Sequence, residues 1–233
     1  MIAARALLLL AAACPLPALA QAYQCRLPQR IEPAPPVTPD GPARRTPIAG
    51  YTLAASWSPE YCRRPADKAS MQCSGRNGRF GFILHGLWPN AAKGPPPQWC
   101  AIGPRPAPET LRRNLCMTPA PGLLAHEWAK HGSCMSKTPD AYFNASAILW
   151  RSLDWPDVDR LSRKNGLTAG DLREAFVAAN PAWRQDQVGL LVSRSGWLRE
   201  IQVCYGRDFL PARCDRRTYG PANRTALKIW RGL

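Results

Sequence analysis

The chain has 233 residues and a formal net charge of +15, with 31 basic against 16 acidic side chains. This length can bury one good hydrophobic core, so we expect a single folded domain. The positive charge favours polyanionic partners through long-range attraction, although solubility alone can also account for it. No stretch after the N-terminus reaches the ~20 apolar residues of a membrane-spanning helix, which argues against an integral membrane protein.

The first twenty residues have the pattern of a secretory signal peptide. Arg5 gives a positive start, residues 6–13 are apolar, and residues 18–20 (Ala-Leu-Ala) provide small side chains for cleavage. We therefore assign residues 1–20 to a signal peptide and expect a secreted or periplasmic protein with no membrane attachment after cleavage. A retained membrane anchor is the alternative.

Signal cleavage would remove Cys14 and leave an even number of cysteines. An even number in an exported chain indicates disulfide bonds, but the sequence alone leaves their pairing open. A metal cage is the alternative, and the absence of any Cys-x-x-Cys pair in the sequence disfavours it. The remaining cysteines are Cys25, Cys62, Cys73, Cys100, Cys116, Cys134, Cys204 and Cys214.

The exported chain would begin with a proline-rich segment, residues 21–48, which we interpret as an extended N-terminal tail or linker. Alternating apolar residues then predict a strand at 51–57 and a second strand at 80–85. We expect Gly86 and Pro89 to end the second strand. A loop rich in proline and glycine follows it.

The rest of the chain predicts four helices and then two strands. Thr168 and Asp171 have the spacing of a capping box at the start of the last helix. This order of elements predicts an α+β fold. The helices are predicted at 109–117, 122–131, 140–153 and 168–179, and the strands at 188–193 and 197–205.

Only three histidines occur in the chain, and they lie in two short motifs. His85 ends the second predicted strand, in the sequence Leu-His-Gly-Leu-Trp-Pro. His126 and His131 enclose Glu127 and Lys130 in the sequence His-Glu-Trp-Ala-Lys-His. Four titratable groups within six residues concentrate near-neutral proton chemistry in one place.

On a helix, His126 and Lys130 are one turn apart, as are Glu127 and His131, so the four side chains form one polar stripe. Such a stripe resembles a phosphate-binding surface with an acid or a base built in. RNA carries its own nucleophile, the 2′-hydroxyl. Its cleavage therefore needs a base for that proton, an acid for the leaving 5′ oxygen and cations for the phosphoryl oxygens. Two imidazoles and a lysine can supply these roles without a metal.

Two other interpretations compete with catalysis. A single histidine such as His85 is more often structural, and the polar stripe can be a solvated helix face, although Trp128 indicates that the helix is anchored in a core. A zinc site is the sharper rival, because His-Glu begins a metalloprotease motif. That motif needs its second histidine at i+4, where this chain has Lys130, and His126 and His131 would lie about 140° apart on the helix. We therefore expect no metal ligands.

The two histidine motifs resemble those of the ribonuclease T2 family of secreted, transferase-type endoribonucleases. Residues 82–89 and 126–134 carry the resemblance, and residues 51–62 are more loosely similar to the family's first core strand. The resemblance covers residues 49–233 and leaves the proline-rich segment outside. It implies a single α+β domain stapled by disulfides, with a central antiparallel sheet flanked by helices, and it implies no cofactor.

The resemblance also implies roles for the site residues. His85 and His131 form the acid–base pair, with His85 assigned as the base toward the 2′-hydroxyl and His131 as the acid, although the sequence leaves this order open. Glu127 and Lys130 would stabilise the pentacoordinate phosphorane, and His126 would bind the phosphate. The products would carry a 2′,3′-cyclic phosphate, with little base specificity.

Two further residues are expected to bind the substrate. Trp88 follows His85 by three residues and can stack on a nucleobase, whereas core packing is the default for Trp57 and Trp99. Many relatives carry an acidic residue after the proline of the first motif, where this chain has Asn90. An amide both donates and accepts hydrogen bonds, so base preference can differ or vanish here.

The disulfide pairing also follows from the resemblance. The family's bonds correspond to Cys100–Cys134 and Cys204–Cys214, with Cys62–Cys73 as a third pair. This leaves Cys25–Cys116 as the fourth.

The sequence therefore predicts a metal-independent endoribonuclease that acts on single-stranded RNA as a monomer. One alternative is a secreted basic RNA-binding protein or toxin with the same fold that acts without catalysis. A second is an exported metallohydrolase.

Overall fold

A computed structural model describes residues 25–101 and 103–232, so the predicted signal peptide lies outside the described residues. Its centre is an antiparallel sheet with the strand order β2-β1-β4-β3. The strands are β1 (Ile48–Trp57), β2 (Phe82–Ala91), β3 (Val188–Val192) and β4 (Leu198–Gly206). The α+β class and the central antiparallel sheet are therefore confirmed.

Seven helices accompany the sheet in the part of the chain that is described. They are α1 (Ser58–Tyr61), α2 (Pro108–Asn114), α3 (Pro121–Lys130), α4 (Pro139–Arg151), α5 (Val158–Leu161), α6 (Ala169–Ala179) and α7 (Arg216–Tyr219). The sequence did not predict α1, α5 or α7, because four residues are too few to show helical periodicity. No described helix has the length and apolarity needed to cross a bilayer.

The hydrophobic core joins the sheet to the longer helices. Leu53 of β1, Leu87 of β2 and Val203 of β4 are fully buried, and they share one core cluster with Tyr142 of α4 and Phe176 of α6. Helices α3 and α4 contact β2, while α6 contacts β3. This packing fixes α3 beside β2, so the two histidine motifs meet.

The second strand differs from its prediction. It does not end after His85 but continues through Gly86 and Pro89 to Ala91. Pro89 is tolerated because β2 is an edge strand, where one side of the backbone makes no ladder hydrogen bonds. The pairing with β1 shifts register between Leu84 and Gly86, so His85 is the extra residue of a β-bulge.

Helix α6 confirms the predicted capping box. The Thr168 hydroxyl accepts a hydrogen bond from the backbone N–H of Asp171, and the Asp171 carboxylate accepts one from the backbone N–H of Thr168. Helix α3 ends at Lys130, one residue before the predicted end, and His131 follows in the turn that leads to Cys134. Pro121 begins α3, where its missing N–H costs no helical hydrogen bond.

Disulfide bonds fix the loops and the N-terminal segment. The structure contains the four pairs that the resemblance implies, Cys25–Cys116, Cys62–Cys73, Cys100–Cys134 and Cys204–Cys214. The proline-rich segment is not a free linker. Besides its disulfide, it buries Ala34, whose carbonyl accepts a hydrogen bond from Arg105 at 3.1 Å. Extended prolyl backbone keeps its carbonyl acceptors, so it can dock on a neighbouring surface without joining the sheet.

Candidate active site

His85 projects from the bulge of β2 and is held by side chains of β1 and β4, the next two strands of the sheet. Its Nδ1 lies 2.6 Å from Oε1 of Glu200 on β4 and 3.3 Å from Oγ of Ser56 on β1. The Ser56 hydroxyl donates to the same Glu200 oxygen, and Gln202 donates to the other. The bulge aims His85 toward this network and leaves Nε2 for chemistry.

Glu200 and His85 form an ion pair with little contact with water on the carboxylate side. The Glu200 side chain is 8% exposed and that of His85 is 30% exposed. Burial works against the charged imidazole, but the Glu200 hydrogen bond and the charges of Glu127 and Glu200 outweigh it, so the pKa of His85 is raised. Burial likewise opposes the Glu200 charge, and the His85 contact outweighs it, so the pKa of Glu200 is lowered.

Glu127 projects from α3 onto the backbone of β2. Its Oε2 accepts a hydrogen bond from Nε1 of Trp88 at 2.7 Å, and its Oε1 lies 3.6 Å from Nε2 of His85. A Cβ at Gly86 would lie within van der Waals radii of the Glu127 carboxylate, so only glycine permits this approach. Burial raises the pKa of Glu127 to about 7. The polar stripe predicted on this helix is therefore partly a buried contact with the sheet.

His131 and His85 both lie close to the indole ring of Trp88. The Trp88 ring centroid is 5.2 Å from that of His85 and 5.7 Å from that of His131. Nδ1 of His131 is buried and has no hydrogen-bond partner among residues 25–101 and 103–232. Burial, followed by the positive charge of Lys130, lowers the pKa of His131 to about 3. The two imidazoles thus have opposite preferences for a proton.

Lys130 is paired with a residue of the proline-rich segment. Its Nζ lies 2.6 Å from Oδ2 of Asp40, whose other oxygen accepts a hydrogen bond from Nε1 of Trp99. The Trp99 ring packs edge-on against His126, with centroids 5.4 Å apart. Burial and the charge of Lys130 lower the pKa of His126. The segment expected to be a linker therefore borders the site.

All three histidines, Glu127 and Lys130 line one cavity of about 720 Å³. Trp88, Arg44 and Arg217 also face it. Asn90, predicted to contact the base, does not line this cavity, because its amide donates to Thr52 at 2.8 Å on the neighbouring strand. Trp57 packs in the core and donates to the carbonyl of Trp230.

Sequence reasoning missed Glu200, Asp40, Arg44 and Arg217. Glu200 leaves one signal, because glutamate is depleted inside strands and this one lies within a predicted strand. Asp40 and Arg44 leave none, since they lie in a segment without periodicity. Their positions depend on contacts distant in sequence.

The comparisons agree with this fold and with the sequence motifs. The Ribonuclease T2 family model matches residues 49–174, so the chain belongs to the ribonuclease T2 family. The match ends before Glu200 and begins after the proline-rich segment.

Several bacterial proteins are similar in sequence. A "Ribonuclease" of Aeromonas hydrophila is 32% identical over 68% of this chain and 72% of its own length. A "Probable ribonuclease" of Haemophilus influenzae is 31% identical over 62% of each chain, so the match spans less than two thirds of that relative. "Ribonuclease I" of Escherichia coli is 25% identical over 73% of this chain and 80% of its own.

Solved structures share the fold. Trichomaglin, described as an S-like ribonuclease, superposes with a TM-score of 0.59 at 21% identity, over 78% of this chain and 98% of its own. RNase NT in complex with 5′-AMP gives a TM-score of 0.59 at 19% identity, over 79% and 98% of the two chains.

Proposed function

We propose that this member of the ribonuclease T2 family is a metal-independent endoribonuclease. It cleaves single-stranded RNA by transphosphorylation through 2′,3′-cyclic phosphates, with low base specificity. The observation that carries the proposal is a pair of imidazoles that both pack near Trp88, one favouring the charged form and one the neutral form, in a cavity shared with Lys130. An acid and a base poised together are what transfer to the RNA 2′-hydroxyl requires.

His131 is the base in this proposal, and His85 is the acid. This reverses the order assigned from the sequence. Burial and the positive charge of Lys130 disfavour a charged His131, so the ring is neutral before the reaction and can accept the 2′ proton. His85 is held in the charged form by Glu200 and can protonate the leaving 5′ oxygen.

The surroundings of His85 fit the leaving nucleotide. His85 also lines a second cavity of about 860 Å³, together with Tyr61, Arg64 and Glu200. Because His85 lies between the two cavities, a chain that occupies both would pass its scissile phosphate beside this imidazole.

The phosphate itself would meet three side chains of α3. Lys130 and His126 supply positive charge or hydrogen-bond donors to its oxygens. Glu127, with a pKa of about 7, is largely neutral in mildly acidic solution, so it can approach a phosphoryl oxygen and donate a hydrogen bond. These contacts would stabilise the phosphorane as its charge develops.

Base contact is proposed to rest on Trp88, since Asn90, the second candidate, does not line the cavity. Trp88 lines the cavity, and its Nε1 also donates a hydrogen bond to Glu127. The complex of RNase NT with 5′-AMP supports nucleotide binding on this fold. Low base specificity is favoured because the Asn90 amide is engaged by Thr52.

We further propose that residues 1–20 are a signal peptide, that residues 21–48 form an N-terminal extension, and that residues 49–233 form the catalytic domain. The protein would act outside the cytoplasm, in the periplasm or after secretion, as a monomer free of the membrane. The disulfide bonds support export, because such bonds persist in oxidising compartments.

The test is cleavage of RNA by the oxidised, purified protein with EDTA present, and with DNA as a control substrate. We expect cyclic-phosphate ends on RNA, no cleavage of DNA, and losses of at least 10²-fold in His85→Ala and His131→Ala. Circular dichroism checks that both variants are folded. RNA binding without cleavage would favour the binding-protein alternative, and loss of cleavage on adding EDTA would favour the metallohydrolase.

A further inference from the structure

The proline-rich segment contributes one side chain, Arg44, to the lining of the cavity that contains the three histidines. Its described part, residues 25–48, is fixed by the Cys25–Cys116 disulfide and by the burial of Ala34. Asp40 reaches Lys130, and Arg44 lines the cavity directly. This segment lies outside the region matched by the family model.

The backbone of Arg44 is tied to the end of α3. Its N–H donates to the carbonyl of Gln98 at 2.8 Å, and its carbonyl accepts from the Gln98 N–H at 3.1 Å. Trp99, which follows Gln98, donates its N–H to the carbonyl of Lys130, the last residue of α3, at 2.8 Å. Cys100 then joins the disulfide to Cys134. Arg44 is therefore held at a fixed place relative to the catalytic helix.

The guanidinium of Arg44 is also oriented. Its Nε donates to the carbonyl of Pro96 at 3.1 Å, which leaves Nη1 and Nη2 as the remaining donors. The side chain makes no ion pair with a carboxylate in residues 25–101 and 103–232. Lys130, by contrast, is already paired with Asp40. Two parallel N–H donors on one planar cation match the geometry of a phosphate.

We propose that Arg44 binds a backbone phosphate of the RNA next to the scissile one, so that the N-terminal extension completes the substrate groove. The cavity of about 720 Å³ is larger than one phosphate needs, and Arg44 lines it beside His126, Lys130 and His131. This inference rests on the proposed ribonuclease function and names a phosphate subsite for it. The ligand is the polyanionic chain and not a particular base, because phosphate contacts carry no sequence information.

The matched control is the neighbouring residue, Arg45. Its Nε and Nη2 both donate to the carbonyl of Cys100, at 3.1 and 2.9 Å, and the side chain does not line the cavity. Arg45→Ala therefore removes the same charge one residue away without touching the groove. Arg44→Lys keeps a cation but not the paired donors. It also loses the Nε contact to Pro96, as Arg44→Ala does, so a difference between these two variants does not come from that contact.

The experiment measures kcat/KM for Arg44→Ala, Arg44→Lys and Arg45→Ala on a uridine oligomer and on the dinucleoside monophosphate UpU, which has only the scissile phosphate. We expect Arg44→Ala to lose about five- to twentyfold on the oligomer, mostly through KM, and less than twofold on UpU. We expect an intermediate loss for Arg44→Lys and no selective loss for Arg45→Ala. The slope of log kcat/KM against log salt should become shallower by about 0.7 on the oligomer.

Equal losses on the oligomer and UpU, or equal behaviour of Arg44→Ala and Arg45→Ala, would overturn the proposal. A binding measurement separates this failure from failure of the ribonuclease function. Fluorescence anisotropy with a 2′-O-methyl uridine oligomer, which cannot be cleaved, tests the Arg44 contact even if the wild-type protein cleaves neither substrate. Weaker binding by Arg44→Ala alone supports the subsite, and unchanged binding refutes it.

Discussion

Replacing Glu200 with glutamine tests whether this carboxylate positions and charges His85. The substitution keeps the shape of the side chain and a possible contact to Nδ1, but it removes the negative charge 2.6 Å from the imidazole. Burial of His85, which disfavours its charged form, is unchanged. The pKa of His85 should therefore fall.

The size of this fall follows from the contact that is lost. A hydrogen bond to a charged group contributes about 1.5–3 kcal/mol. One pKa unit corresponds to about 1.36 kcal/mol, so the pKa of His85 should fall by about one to two units. If His85 acts as the acid, the alkaline limb of the kcat/KM profile moves down by the same amount. Activity should then change little at pH values below the new pKa of His85 and should fall as pH rises above it, by up to about tenfold for each pKa unit of the shift.

The same pair should leave a signature in stability. The raised pKa of His85 stabilises the fold below the unfolded value of 6.5, and this contribution is lost as pH rises through the folded value. The lowered pKa of Glu200 stabilises the fold above its ordinary value of 4.5, and this contribution is lost as pH falls through the folded value. Glu200→Gln should therefore destabilise the fold most between pH 4.5 and 6.5.

The assay is the pH profile of kcat/KM together with an NMR titration, which the presence of only three histidines makes simple to assign. The control is Glu174→Gln, which removes an exposed carboxylate from α6. Glu200→Asp, which keeps the charge, should restore part of the shift. An unchanged alkaline limb and an unchanged His85 titration in Glu200→Gln would refute the positioning role.

Three further variants test the site. Glu127→Gln should lower activity yet raise the free energy of unfolding at pH 8 by about 1–3 kcal/mol. Burial raises the pKa of Glu127 to about 7, so at pH 8 the wild-type fold holds a buried negative charge that glutamine lacks. Denaturation at pH 4 and at pH 8 measures the difference. Asp40→Asn should lower KM for RNA about two- to fivefold, because it removes the carboxylate paired with Lys130, while a half-exposed ion pair adds little to stability. Gly86→Ala should reduce kcat at least tenfold, because its Cβ would displace the Glu127 carboxylate and the Trp88 indole. Wild-type kinetics in any of these variants would contradict the corresponding contact.

Local patterns predicted much of the fold. The capping box of α6 and the periodicity of α3 and α4 depend on residues close in sequence, and these helices lie within a few residues of their predicted bounds. The continuation of β2 could not be predicted in the same way. The bulge at His85 breaks the alternation, and whether Pro89 is tolerated depends on β2 being an edge strand, which only the whole sheet determines.

In the candidate site, too, the residues of local motifs could be predicted from the sequence, and the residues placed by distant contacts could not. The histidine motifs were visible because histidine is rare in this chain and two of the three are five residues apart. Glu200 is 115 residues from His85, and Asp40 is 90 residues from Lys130, so no local pattern links either pair. The order of acid and base also depends on these distant charges, which explains why the sequence left it open.

The most direct test of the account replaces the leaving 5′ oxygen of UpU with sulfur and measures cleavage by His85→Ala and His131→Ala with EDTA present. A thiolate leaves without being protonated, so the general acid becomes unnecessary while the base is still needed. The account predicts that His85→Ala recovers to within about tenfold of the wild-type rate and that His131→Ala stays impaired. Recovery of His131→Ala instead, or of neither variant, would contradict the assignment of His85 as the acid and His131 as the base.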